Sequence, residues 1–279
     1  MRAPISIGRP MGPPALYVLH LWMPVLMAAG LVASLHQALP QLLVAPSGLA
    51  MLMLGVFIVY TGDRVLERSW GLGRALLPLA SSAILACGLL GAVALRRRDT
   101  LPVLLDLALV SLGYPLIKRW PLPRLASVAG AWTLACLRLP FWTGGARLPP
   151  WALACGPAAL SVACAIAAGT ILCDLKDRDG DAASGVRTLT VLYGARGACA
   201  WAAAIAAVGV GAALWSHAPA ILCCNVGMVL AAARPDAVQR PVSGPLLVDA
   251  ALAAPGLGLL VSHAAERWLA GSHHILASF

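Results

Sequence analysis

Charge is scarce in this chain. Only 11% of its 279 residues are Asp, Glu, Lys or Arg, against roughly a quarter in a soluble globular domain. Hydrophobic types reach 60% and the mean hydropathy is +0.84. So little polar surface cannot cover a water-soluble domain of this size, and that class is excluded. Period-two alternation is also missing. The apolar runs are continuous and rich in Leu and Ala, which argues against a β-barrel. In lipid every backbone polar group must be satisfied within its own segment, so runs of this kind are read as membrane helices.

Metal-ligand spacing is missing among the eight cysteines, Cys87, Cys136, Cys155, Cys164, Cys173, Cys199, Cys223 and Cys224. Most sit inside apolar runs. They are read as small membrane-core residues, and disulfides are not expected. No A-x-A-like site follows the first apolar run, which is too long for a signal-peptide core; it is expected to be a retained span. Acid is scarcest of all, with 11 Asp and Glu against 20 Lys and Arg, for a net charge of +9. In a membrane chain that excess fits basic loops beside an anionic cytoplasmic leaflet, not a nucleic-acid partner.

What is present is a series of apolar runs of about 20 residues, the length that crosses a bilayer. They predict nine spans, at 15–39, 43–62, 75–95, 101–117, 124–142, 151–175, 197–215, 218–233 and 245–264. The fourth and eighth are short, so a count of eight stays open. Residues 1–279 are expected to form one integral-membrane domain, with 1–14 a short cytoplasmic tail. If the N-terminus is cytoplasmic, fourteen of the 20 Lys and Arg fall on that side and six on the other. The positive-inside rule therefore predicts a multi-pass inner- or plasma-membrane protein with its N-terminus inside. The loops after spans two, four, six and eight then share the cytoplasmic face.

The scarce acid is also concentrated. Four aspartates fall within eight residues of "DLKDRDGDAASGVRT", Asp174 to Thr188. If span six continues as a helix, Asp174, Asp177 and Asp181 lie at about 0°, 300° and 340° around it, while Asp179 at about 140° points elsewhere. Three crowded carboxylates repel one another unless solvated, protonated or bridged by a cation. Mg²⁺ is the expected cation, because it takes one or two carboxylates and shares its remaining shell with water and substrate phosphates. A calcium EF-hand is excluded: with Gly180 at loop position six, Leu175 and Val186 fall where ligands belong. An alcohol phosphatidyltransferase signature fails as well, since "DAAS" follows where an Ala-Arg pair is needed.

Two further clusters fall on the same predicted face. In "YTGDRVLERS", Asp63 and Glu67 are i, i+4 neighbours with Arg64 between them. In "YPLIKRWPLPR", Tyr114 to Arg124, Lys118 and Arg119 offer cations to the oxygens of a diphosphate. Each alone reads as a surface charge pattern or a topogenic signal; together they suggest one site. Asp106 and Asp249 lie inside spans, where an ionisable group faces the bundle interior, either at a site or in a helix–helix hydrogen bond. The nine Trp lie mostly near span ends, as an interfacial belt would place them.

These stretches resemble the UbiA superfamily of intramembrane prenyltransferases. "DLKDRDGDAASGVRTLTVLYG" looks like its second aspartate-rich motif, D-x-x-D-x-x-G-D followed by G-x-x-T and a later Gly. Asp174, Asp177, Gly180, Asp181, Gly185, Thr188 and Gly194 carry the match. "YPLIKRWPLP" is similar to the Y-P-x-x-K-R segment of members that prenylate aromatic rings, through Tyr114, Pro115, Lys118 and Arg119. The first motif, N-D-x-x-D-R-x-x-D, departs. Val59 and Tyr60 stand at its Asn and first Asp, Asp63 and Arg64 are kept, and Glu67 replaces its last Asp.

The resemblance implies an all-α, polytopic membrane helix bundle of about nine transmembrane helices around a central cavity. It implies Asp63, Glu67, Asp174, Asp177 and Asp181 as Mg²⁺ ligands. It implies Arg64, Tyr114, Lys118 and Arg119 at the diphosphate, and Asp63, Asp174, Asp177 and Lys118 as the catalytic set. The reaction would transfer a prenyl group from a prenyl diphosphate to a phenolic or other lipid-soluble acceptor, in contact with membrane lipid. Ionisation of the C–O bond would be helped by the metal, and the apolar bundle would keep water from the allylic cation. Other readings stay open: a different diphosphate donor, cyclisation of the substrate, a non-catalytic binder of lipid diphosphates, or a transporter. The sequence names no obligate protein partner.

Overall fold

A computed structural model describes residues 14–67, 86–91, 101–117, 120–142, 156–241 and 243–276. Among the described residues there is no strand. The helices are α1 (Pro14–Ala38), α2 (Pro46–Glu67), α3 (Leu101–Ile117), α4 (Pro121–Trp142), α5 (Pro157–Cys173), α6 (Arg178–Ala183), α7 (Leu189–Trp215), α8 (Pro219–Ala232), α9 (Pro235–Val238) and α10 (Ser243–Leu276). Six of them, α1, α2, α4, α5, α8 and α9, begin on proline. Its φ is preset for a helix, and the N–H it lacks would have no intrahelical partner there.

The predicted runs and these helices agree closely at 15–39, 101–117, 124–142 and 218–233. The run at 75–95 lies mostly outside the described residues, of which 86–91 are helical. α2 continues past its predicted end through Asp63, Arg64 and Glu67. α7 begins eight residues before its predicted start at 197. Among the described residues, three helical segments are long and apolar enough to cross a membrane, Leu21–Ala38, Leu189–Trp215 and Ser243–Glu266, and shorter apolar helices accompany them.

Packing closes a circuit. α1 lies on α2, α2 on α4, α4 on α5, α5 on α7, α7 on α8, α8 on α10, and α10 returns to α1. α3 packs on α4. α5 also touches α1, α8 and α10, and twelve of its 17 residues are buried. Its sequence, "PAALSVACAIAAGTILC", explains why. A helix that is apolar all round belongs inside, and small residues let neighbouring backbones approach where lipid supplies no hydrophobic drive between helices. α1 and α10 approach closely at two glycines. A Cβ at Gly256 would collide with the Gly30 carbonyl, and one at Gly30 with that of Ala253.

One polar node ties α5, α7 and α8 inside this core. Asn225 Nδ2 donates to Ser161 Oγ at 2.9 Å and to the Ser161 and Ile221 carbonyls at 3.1 Å. Ser161 Oγ donates to the Gly209 carbonyl at 2.8 Å. Both side chains are fully buried. Each hydrogen bond of this kind between membrane helices contributes on the order of 1 kcal/mol.

Helix direction decides what meets at each end. The Ala45 amide, just before α2, donates to the Pro140 carbonyl near the end of α4 at 2.8 Å. α2 and α4 are thus antiparallel, and the last turns of α2 finish at the end of the bundle where α4 begins. That end also carries the close of α3, the close of α5 and the start of α7.

Candidate active site

The acidic stretch does not continue α5. The helix ends at Cys173, and Asp174 forms its C-cap. Short-range turns follow, with Leu175 N to Leu172 O and Asp177 N to Asp174 O, both 3.2 Å. The break tucks Leu175 into the core, where only 5% of it is exposed. A new helix, α6, then carries Asp179 and Asp181 in its first turn. A continuous helical phase therefore does not describe the stretch. Asp174 and Asp181 converge, whereas Asp177 turns outward and pairs with the neighbouring Lys176 at 2.8 Å.

Asp174 and Asp181 converge on Arg124, in the first turn of α4. Arg124 Nη2 donates to Asp174 Oδ1 at 2.7 Å, and Nη1 stands 3.7 Å from Asp181 Oδ2. Arg124 Nε donates to the Tyr114 hydroxyl at the end of α3, at 3.1 Å. Four elements thus supply one cluster. Arg124 joins the cluster although its sequence context does not single it out. The signal is indirect: a cation in the first turn opposes the helix dipole, so it calls for an acidic partner.

The motif residues after the aspartates have local reasons. Gly185, at φ 74°, closes α6 with a Schellman pair: Val186 N donates to Asp181 O at 2.9 Å and Gly185 N to Ala182 O at 3.2 Å. Thr188 caps α7, accepting from Val191 N at 3.3 Å. Its hydroxyl is 2.7 Å from that of Thr190, which donates to the Asp174 carbonyl at 3.4 Å. Gly194 takes φ 67°, ψ −179° inside α7, a bend open to glycine and strained for other residues. These devices hold α6, and with it Asp181, over the end of α5.

Burial dominates the electrostatics. It pushes the Asp174 carboxyl from 3.8 up to about 7; Asp181 and Asp177 add repulsion and Arg124 opposes. Asp181 is raised as well, again first by burial. Its Oδ2 is buried with no hydrogen-bond partner among the described residues. A shallow crevice lies beside the cluster, lined by Pro121, Arg124, Leu125, Thr170, Asp174 and Thr188.

Two convergent carboxylates, one with an oxygen lacking a hydrogen bond, are a hard-oxygen donor set that fits Mg²⁺. Among the described residues no three His, Cys, Asp or Glu side chains gather within reach of one ion. Asp63, Arg64 and Glu67 have their backbone in the last turns of α2, and their side chains lie outside the described residues. Lys118 and Arg119 also lie outside the described residues. Tyr60, one helical turn before Asp63, meets Trp132 of α4 edge-on, with ring centroids 6.3 Å apart. Asp106 forms an interhelical ion pair with Arg138 at 3.0 Å, away from the cluster. Asp249 is half-buried near the start of α10, close enough to act electrostatically on Cys173 at the end of α5.

No family model matches this chain, and no curated protein matches it in sequence. Solved structures do. A UbiA homolog from Archaeoglobus fulgidus bound to DMAPP and Mg²⁺ is similar with a TM-score of 0.58 at 15% identity. A structure of a UbiA homolog from the same organism, bound to Cd²⁺, gives 0.57 at 17% identity. Each match covers 88% of this chain and 97% of the other. At this distance the likeness speaks for architecture: the chain is an all-α bundle with the UbiA membrane fold.

Proposed function

We propose that this protein is a Mg²⁺-dependent intramembrane prenyltransferase of the UbiA superfamily. It moves a prenyl group from a prenyl diphosphate to a phenolic or other lipid-soluble acceptor. The observation that carries the reading is the meeting of Asp174, Asp181, Arg124 and Tyr114 at one end of the bundle. The similar UbiA homolog was solved with DMAPP, a prenyl diphosphate, and Mg²⁺.

In this reading Asp174 and Asp181 would hold the metal, with the α2 pair Asp63 and Glu67 as further ligands; Asp177 would join them only on leaving Lys176. Held there, Mg²⁺ would supply Lewis-acid stabilisation to the leaving diphosphate. Arg64, Lys118, Arg119 and Tyr114 bind the diphosphate oxygens and fix its orientation. The apolar walls of the bundle exclude water and leave the prenyl tail in contact with lipid. We place nine spans in the membrane, with the N-terminus and the mouth of the site cytoplasmic, on the distribution of Lys and Arg.

The Tyr60–Trp132 pair favours one variant. Tyr60 stands where the family pattern has an aspartate, so an aromatic edge replaces a ligand on the α2 side. That suits a different diphosphate donor, or cyclisation of the substrate, where an aromatic ring can stabilise a developing cation. The test is mass spectrometry of lipid-soluble products from a panel of prenyl diphosphates, with and without phenolic acceptors. Acceptor-dependent products support transfer. Products formed without acceptor support cyclisation. Intact diphosphates throughout, with Mg²⁺-dependent binding retained, would make the protein a binder.

A further inference from the structure

We propose that Arg124 is the site's resident counter-ion, holding Asp174 and Asp181 together until a divalent cation takes them and then turning to the diphosphate. The inference rests on the functional reading above and adds to it an exchange of one cation for another.

The geometry is that of a placeholder. Arg124 and both carboxylates are largely buried, at 16%, 14% and 20% side-chain exposure. Such charges need compensation whenever no metal is present. Arg124 compensates unevenly. Its contact to Asp174 is a full hydrogen bond at 2.7 Å, but the approach to Asp181 is 3.7 Å, and Asp181 Oδ2 keeps no hydrogen bond. One guanidinium also leaves two carboxylates with a net negative charge. A divalent ion balances both and occupies the same space between them. The displaced guanidinium cannot stay beside that ion without repulsion.

Its tether sets where it can go. Nε is held by the Tyr114 hydroxyl at 3.1 Å. With that bond as a pivot, both Nη groups can leave the carboxylates and form a planar fork toward a phosphate. Thus Arg124 would compete with metal in the empty site and cooperate with it in the loaded one. A purely structural clamp would act in one direction only, by ordering the aspartates for either ligand.

The test is titration calorimetry on the full chain in detergent, first with Mg²⁺ alone, then with inorganic pyrophosphate at saturating Mg²⁺. At a pH alkaline enough to keep both carboxylates ionised in every variant, Arg124→Gln should bind Mg²⁺ alone about tenfold more tightly, since a nearby positive charge is gone, and pyrophosphate about tenfold more weakly. Arg124→Lys keeps a cation beside the buried carboxylates and so guards against a folding defect; it should fall between wild type and Arg124→Gln in both titrations. If Arg124→Gln and Arg124→Lys bind Mg²⁺ alone as wild type does or more weakly, the exchange is refuted while the functional reading stands. The same holds if pyrophosphate affinity is unchanged. Wild-type protein that binds no pyrophosphate with Mg²⁺ would overturn the functional reading and this inference with it.

Discussion

Replacing Asp174 with Asn should make the metal-free protein more stable at neutral and alkaline pH, not less. Asp174 lies just past the end of α5 and is 14% exposed. Burial, with repulsion from Asp181 and Asp177, pushes its carboxyl from 3.8 to about 7 despite Arg124. In the unfolded chain the group titrates at its ordinary value. Between the two values the folded protein holds a proton that the unfolded chain does not. Stability therefore falls as pH rises through that window and stays low above it. About three pKa units at roughly 1.4 kcal/mol each set a ceiling near 4 kcal/mol, fully felt above pH 7. The attraction to Arg124 is already contained in that figure. Asn is neutral at every pH and still offers Nη2 an oxygen, so the variant should gain about 2–4 kcal/mol at pH 8 and almost nothing near pH 4. The assay is thermal unfolding in detergent with EDTA across that range. Mg²⁺ should then raise the melting temperature of wild type by more than that of the variant. A variant destabilised by the same amount at pH 5 and pH 8 would show that burial of the Asp174 charge does not cost the fold stability.

Three other substitutions test the framework around the site. Gly185→Ala forces a Cβ into φ 74°, at a cost of about 1–2 kcal/mol; it should loosen α6 and weaken Mg²⁺ binding several-fold by calorimetry, with little change in helix content. Gly256→Leu places a side chain where the Gly30 carbonyl sits; α1 and α10 cannot close, and size-exclusion chromatography should show aggregated or expanded protein. Asn225→Leu removes three hydrogen bonds from the buried node and should cost about 1–2 kcal/mol in a detergent-denaturation titration.

The helices were legible because lipid makes their signal simple. A long apolar run must be helical, and six start on the proline that the sequence displays. The limits of α7 were not legible from hydropathy. Its first turn, "LTVLYG", belongs to a helix only because Thr188 caps it and Gly194 bends it back into line. The acidic stretch shows where helical phase stops being informative. Phase grouped Asp174, Asp177 and Asp181, but burial of Leu175 and a cap at Asp174 break the helix, and the turn sends Asp177 to Lys176. Asp174 and Asp181 still meet, through Arg124, a partner fifty residues away from Asp174. Asp106, an open case in the sequence, proved to pair across helices with Arg138. Charge patterns report which residues need partners; which partner they find is set by packing.

Metal-dependent cleavage of a prenyl diphosphate at the Asp174–Asp181 pair is what the proposed function requires. Its most direct measurement is diphosphate release from radiolabelled prenyl diphosphate by the purified protein in lipid, with a phenolic acceptor, with Mg²⁺ or with EDTA. Release should require Mg²⁺ and fall by at least about a hundredfold in Asp181→Asn, as expected when a catalytic metal's ligand is lost. Release that persists in EDTA, or at the wild-type rate in Asp181→Asn, would contradict it.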